Sequence, residues 1–142
     1  MRNFLAMVGV AGLVMAGTSS NALAAFGALL DPTASAIACT AEVTECESNG
    51  FGAATSLKIA RTTYIGFDLS NLIPGQTYLA ANNDVGFESC AGVLTSFVVG
   101  ADGGANFSTP VSAAAEFVSI CREDAGVLVP VLTGQMGRLN GR

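Results

Sequence analysis

Histidine and tryptophan are both absent from the 142 residues, and tyrosine occurs only twice. The first absence excludes Ser-His-Asp triads, Cys-His pairs and histidine-bound metals outright. The second, with so few tyrosines, removes the aromatic platform on which sugars usually stack. Charge is also scarce. Only 6 residues are basic against 11 acidic ones, and the basic residues form no stripe, so a phosphate backbone would be repelled and no nucleic-acid partner is expected. Long apolar runs are missing too, apart from one at the start.

That run, Phe4 to Ala16, follows Arg2 and is followed by Ala22-Leu23-Ala24. A positive start, an apolar centre and a small-x-small site are the parts of a secretory signal peptide, here residues 1–24 with cleavage after Ala24. The run is short for a bilayer and no second one reaches the necessary length, so no transmembrane segment is expected. The expected location is secreted, periplasmic or cell-surface. The mature chain of 118 residues would keep five basic residues (Lys58, Arg61, Arg122, Arg138, Arg142) against eleven acidic ones, a net charge of −6. It is one domain's worth of chain, long enough for a core. Ala36-Ile37-Ala38 before Cys39 has some look of a lipid-attachment site, but Asp31 and Pro32 part it from the apolar run.

All four cysteines lie in the mature part, and an even count in an exported chain reads as two disulfides. Three pairings are open. The expected one joins Cys39 to Cys46 as a local loop and Cys90 to Cys121 as a long-range link. Zinc is the competing use, but the spacing 39/46/90/121 holds no Cys-x-x-Cys pair and there is no histidine to assist.

Along the mature chain, residues 25–56 are small and irregular, and Asn49-Gly50 ends a segment carrying Glu42, Glu45 and Glu47. This first part reads as a disulfide-closed loop region. Residues 57–134 form the body. Leu57, Ile59, Ile65, Phe67 and Leu69 fall on odd positions, with Lys58, Thr62, Asp68 and Ser70 on even ones, which predicts a half-buried strand broken near Arg61 or Gly66. Pro74-Gly75 then supplies a type II turn, and Tyr78 carries a ring into the core while its hydroxyl seeks backbone a few residues upstream. Further strands are expected at Thr77–Ala81, Val93–Val99, Phe107–Val111, Phe117–Cys121 and Val127–Leu132. Residues 101–106 should form a hairpin turn. Pro130 puts the last strand at a sheet edge or on a bulge. Residues 135–142 read as a flexible tail. Strands recurring every 8–15 residues, with no amphipathic helix between them, predict an all-β antiparallel sandwich of about seven strands.

The corner Leu72-x-Pro74-Gly75-x-Thr77-Tyr78 resembles that of immunoglobulin-like domains, fibronectin type III among them. Phe97, Asp102-Gly103, Ala105 and Ser108-Thr109 are similar to the aspartate-glycine hairpin of neocarzinostatin-like secreted domains, as is the late strand Val118-Ser119-Ile120-Cys121. The resemblance spans roughly residues 63–132. It implies an immunoglobulin-like sandwich and transfers no binding residues.

Few groups remain for chemistry. Glu45 and Glu47 would share a face of an extended segment, but a solvated acidic loop is the plainer reading of Glu42, Glu45 and Glu47. Asn82-Asn83-Asp84 and Asp102-x-x-x-Asn106 read as turn-making rather than calcium loops. Asn106-Phe107-Ser108 is a glycosylation sequon. Phe26, Phe51, Phe87, Phe97, Phe107 and Phe117 fill a core or line a cleft. The expectation is an exported non-enzymatic domain that uses no cofactor and acts by protein interaction or self-association. It would be a surface, matrix or adhesion component, self-assembling through the edge at Val127–Leu132. The alternative is a carrier or inhibitor holding a small apolar ligand.

Overall fold

Nine strands follow one another: β1 (Phe26–Pro32), β2 (Phe51–Ile59), β3 (Thr62–Ser70), β4 (Thr77–Asn83), β5 (Val93–Val98), β6 (Ala105–Val111), β7 (Phe117–Asp124), β8 (Val127–Gln135) and the two-residue β9 (Gly137–Arg138). The structure, a computed structural model, describes residues 26–138, and no helix occurs among them. The signal peptide read over residues 1–24 and the last four residues lie outside the described ones. No helix of the described residues is long and apolar enough to cross a membrane.

Eight strands form one antiparallel path in the order β5-β4-β7-β8-β1-β2-β3-β6. The path has two arms that share β1. Residues Phe26–Leu30 of that strand pair with β2, whereas Asp31 and Pro32 pair with β8. Backbones crowd at this changeover. A Cβ on Gly27 would strike the carbonyl of Ala54, and one on Gly134 would strike that of Leu29. Only glycine admits so close an approach.

β5 and β6 end the path and are not bonded to each other, yet their rings meet. Tyr78 faces Phe97 across β4–β5, Phe67 faces Phe107 across β3–β6, and Phe97 lies 4.6 Å from Phe107. Together the four rings form one stack between the arms. Such aromatic pairs add about 0.5–1.5 kcal/mol each beyond their burial. Ile65, Leu69, Val118, Ile120, Val131 and Leu132 complete the centre of the core. This all-strand antiparallel fold is compatible with a β-sandwich or barrel-like domain.

Several expectations need correction. The N-terminal third is not wholly irregular, since β1 and most of β2 lie in it. The segment 57–70 does break near Arg61, at a two-residue turn Ala60-Arg61 with Ala60 at φ 57°, but the single parity read across it does not hold. Because Ile59 pairs with Thr62, odd residues of β2 sit opposite even residues of β3. Ile65, Phe67 and Leu69 are therefore buried while Leu57 and Ile59 point outward. Residues 101–106 do not close a hairpin. β5 pairs with β4 and β6 with β3, so residues 99–104 cross between the arms. That crossing is bonded to the Pro-Gly corner, which crosses the other way: Leu72 N donates to Gly103 O, Gly75 N to Val99 O, and Val99 N to Gln76 O.

β7 continues through Arg122 to Asp124, and its turn into β8 is Ala125-Gly126, both at positive φ. Pro130 lies within β8, which is flanked by β7 and β1 and is not a path edge. Its missing donor is accommodated at a bulge, where Ile120 pairs with Leu132 but Cys121 with Pro130. β8 also runs on to Gln135, and Met136 N donates to Glu116 O, so order extends past the expected start of the tail.

Candidate functional site

Two disulfide-closed loops and one uncovered sheet face are the distinctive surfaces of the fold. Cys39 is bonded to Cys46 and Cys90 to Cys121, with no free cysteine among the described residues.

The first loop leads into a buried charge network. Glu47 directly follows Cys46 and is 0% exposed. Its Oε2 accepts from Arg122 Nε at 2.9 Å and from the Tyr78 hydroxyl at 2.7 Å, and its Oε1 accepts from Arg122 Nη2 and from Ile37 N. Tyr78 in turn accepts from Ile73 N, five residues upstream. The carboxylate thus has four donors, the satisfaction a buried charge requires. The bond from Glu47 raises the pKa of Arg122, so its charge is secure. Burial first, and then the bond to Glu47, push the Tyr78 hydroxyl well above its usual range. The network closes the end of the core where β2 and β4 begin and β7 ends. It joins a securely charged Arg122 to a tyrosine that resists ionisation.

The solvated-loop reading therefore holds for Glu42 and Glu45, which are exposed, and fails for Glu47. Loop acidity is the default reading because burying a carboxylate needs partners remote in sequence. Arg122 is 75 residues away from Glu47. One local signal was present: both charges directly follow a half-cystine, in Cys46-Glu47 and Cys121-Arg122.

The second loop, residues 84–92, covers the outer face of the arm formed by β4, β7 and β8. Cys90 ties it to Cys121, Phe87 meets Phe117 edge-on at 4.9 Å, and Glu88 N donates to Thr133 Oγ1. Asn83 shapes the loop from inside, donating to Ser89 O and Ala91 O and accepting from Val85 N and Gly86 N. Asn82 and Asp84 do something else, holding Ala115 and Glu116 of the connection before β7. Ala81, Ser119 and Cys121 are consequently buried although they point away from the core.

Among the described residues, nothing covers the other arm in this way. Its outward residues are Leu29 on β1, Phe51, Ala53, Thr55, Leu57 and Ile59 on β2, Tyr64, Gly66 and Asp68 on β3, and Asn106, Ser108 and Pro110 on β6. Leu29 is 57% exposed, Phe51 53%, Leu57 44% and Ile59 60%. Asp68 and, at the end of β1, Asp31 are its charges.

The six phenylalanines singled out from the sequence do not converge on one cleft. Phe97 and Phe107 join the core stack, Phe87 of the 84–92 loop meets Phe117 edge-on while staying 55% exposed, and Phe26 and Phe51 are exposed. Leu72 is buried in the core, and Pro74-Gly75 turn the chain, with Gly75 at φ 79° and Gln76 N donating to Ile73 O. Asp102 Oδ1 accepts from Gly104 N, and Asn106 sits exposed on β6.

Comparisons with protein-family models, with curated proteins and with solved structures find no match. The likeness of the turns to immunoglobulin-like and neocarzinostatin-like domains has no family match behind it.

Proposed function

We propose that this chain is an exported, non-catalytic interaction or structural domain of the cell surface or its surroundings, and that its working surface is the outer face of β1, β2, β3 and β6. The observation that carries this reading is the run of exposed apolar residues on that face beside an opposite arm that is covered. Leaving Leu29, Phe51, Leu57 and Ile59 in water forgoes burial at about 25 cal/mol per Å², so the row is best explained by something that covers it. The chemistry points the same way. Glu47, the most enclosed carboxylate, is bound to Arg122 and Tyr78, and Glu42 and Glu45 stand in solvent. The phenylalanines that could have lined a ligand cleft fill the core or lie elsewhere, which weighs against a small-ligand carrier. Two disulfides suit an oxidising compartment.

The test is association with the envelope or matrix of the producing cell, compared between the wild-type protein and Leu57→Lys/Ile59→Lys. Retention lost in the variant, with an unchanged melting temperature, is the expected result. Equal retention of both proteins sinks the assignment to this face.

A further inference from the structure

We infer that the bare face pairs with a second copy of this chain, the β2 strand of one copy lying over that of the other. The inference rests on the reading of this face as the working surface and names its partner.

Three features of the face select that occupant. The first is extent. Strands β1, β2, β3 and β6, of seven, nine, nine and seven residues, lie about 4.8 Å apart and rise about 3.3 Å per residue, so the face covers roughly 500 Å². Two such faces together cover about 1,000 Å², the size at which a specific interface begins. The second is charge. Eleven acidic residues against six basic ones make two copies repel over most of their surfaces. The outward residues Leu57, Ile59 and Tyr64 carry no charge; Lys58 alternates to the other side of β2, Arg61 lies in the turn at that end, and Asp68 sits farther along, opposite Ala53 in the register. Identical faces can meet there without like charges in contact. The third is relief. Small residues (Ala53, Thr55, Gly66) lie among large ones (Leu57, Ile59, Tyr64) on adjacent strands, so facing sheets can interdigitate at the usual separation of about 10 Å. A two-fold axis lying between the two facing β2 strands makes such a contact self-complementary and closed, giving a dimer and not a fibre.

The chain has no tryptophan, so Tyr64→Trp places a single reporter on the face. The full-length gene would be expressed with its leader, so that any processing by the cell has taken place. Light scattering and fluorescence are then followed from about 1 µM to about 1 mM protein. The expected result is a mass that doubles with concentration together with a blue shift of the tryptophan. Leu57→Lys/Ile59→Lys should weaken the dimer by at least about 100-fold, because like charges would face each other. Leu57→Ser/Ile59→Ser, checked by its melting temperature, covers the case in which the lysine variant does not fold. It should weaken the dimer less.

A dimer untouched by both variants overturns the proposal and moves the contact to another surface, such as the open edges of β5 and β6. A monomer whose tryptophan is buried at every concentration also overturns it, with residues 1–25 the cover to test next. A monomer with an exposed tryptophan overturns self-pairing. Adding envelope material from the producing cell then separates the two readings: a blue shift keeps an interaction surface with another partner, and no shift removes both.

Discussion

The two outer faces of this fold are finished in opposite ways. Over β4, β7 and β8 the chain lays the 84–92 loop and fastens it with Cys90–Cys121, so β7 is buried on both sides from Val118 to Arg122. Over β1, β2 and β3 it lays nothing among the described residues, although Leu29, Phe51, Leu57 and Ile59 are as apolar as anything beneath the loop. A strand buried on both faces serves the fold. An apolar row left in water by a chain able to cover its other face is the more informative for function.

The contrast can be broken at several points, and the largest effect is expected within the covered arm. Arg122→Met leaves Glu47 buried without its ion partner and should cost about 3–5 kcal/mol in urea unfolding. Replacing both residues by apolar ones of similar volume should cost less than that single change. A double variant as unstable as the two singles combined would show that Glu47 and Arg122 do not act as a unit.

Next come the disulfides. Chain-entropy arguments give about 3.7 kcal/mol for the 31-residue separation of Cys90–Cys121 and about 2.4 kcal/mol for the 7-residue separation of Cys39–Cys46. Serine pairs at each site should follow that order. Only the loss of Cys90–Cys121 should speed amide exchange at Ala81 and Ser119, beneath the loop. Alkylation of the intact, unreduced protein should find no free thiol.

Tyr78→Phe removes a hydroxyl bonded to both Glu47 and Ile73 and should cost about 1–3 kcal/mol. It should also change the response to alkali. The raised pKa of Tyr78 means that the folded state keeps a proton the unfolded chain releases. The stabilisation is complete below the ordinary tyrosine value of about 10 and is lost as pH climbs above it. Arg122 acts in the same direction at still higher pH. Absorbance at 295 nm with parallel circular dichroism should show this tyrosine ionising only as the fold opens, and the phenylalanine variant should lose stability less steeply above pH about 10. Ionisation of both tyrosines in a folded protein would contradict the burial of Tyr78.

The smallest effect falls on the bare face. Leu57→Ser/Ile59→Ser should move monomer stability by no more than about 0.5 kcal/mol per site, since these side chains are well exposed. A loss of several kcal/mol at low protein concentration would mean that the row is buried within the monomer and is not an interface.

Much of the strand pattern was legible because alternation and turn chemistry are local. Ile65, Phe67 and Leu69 announce a half-buried strand, and Pro74-Gly75 announce a turn wherever they occur. The errors arose where a local signal had to be carried across a junction. Reading one parity from Leu57 to Leu69 put Leu57 and Ile59 in the core, but a two-residue turn reverses parity and puts them in solvent. Asp102-Gly103 marks a reversal of direction and does not say whether the returning strand pairs with its predecessor. Pro130 offered an edge or a bulge, and only its neighbours β7 and β1 chose the bulge. β1 was missed because Gly27 and Ala28 blur its alternation and Asp31-Pro32 reads as a turn, so its strand character comes from partners at residues 52–56 and 132–133.

By itself, the sequence determined the all-β class, the turns and the shortage of reactive groups, because each follows from residue type and near-neighbour spacing. Only the tertiary structure decided that Glu47 lies in the core, that the 84–92 loop covers one arm and that no described residue covers the other arm's outer face. Those outcomes depend on partners brought together from 31 to 75 residues away, and no local pattern records them.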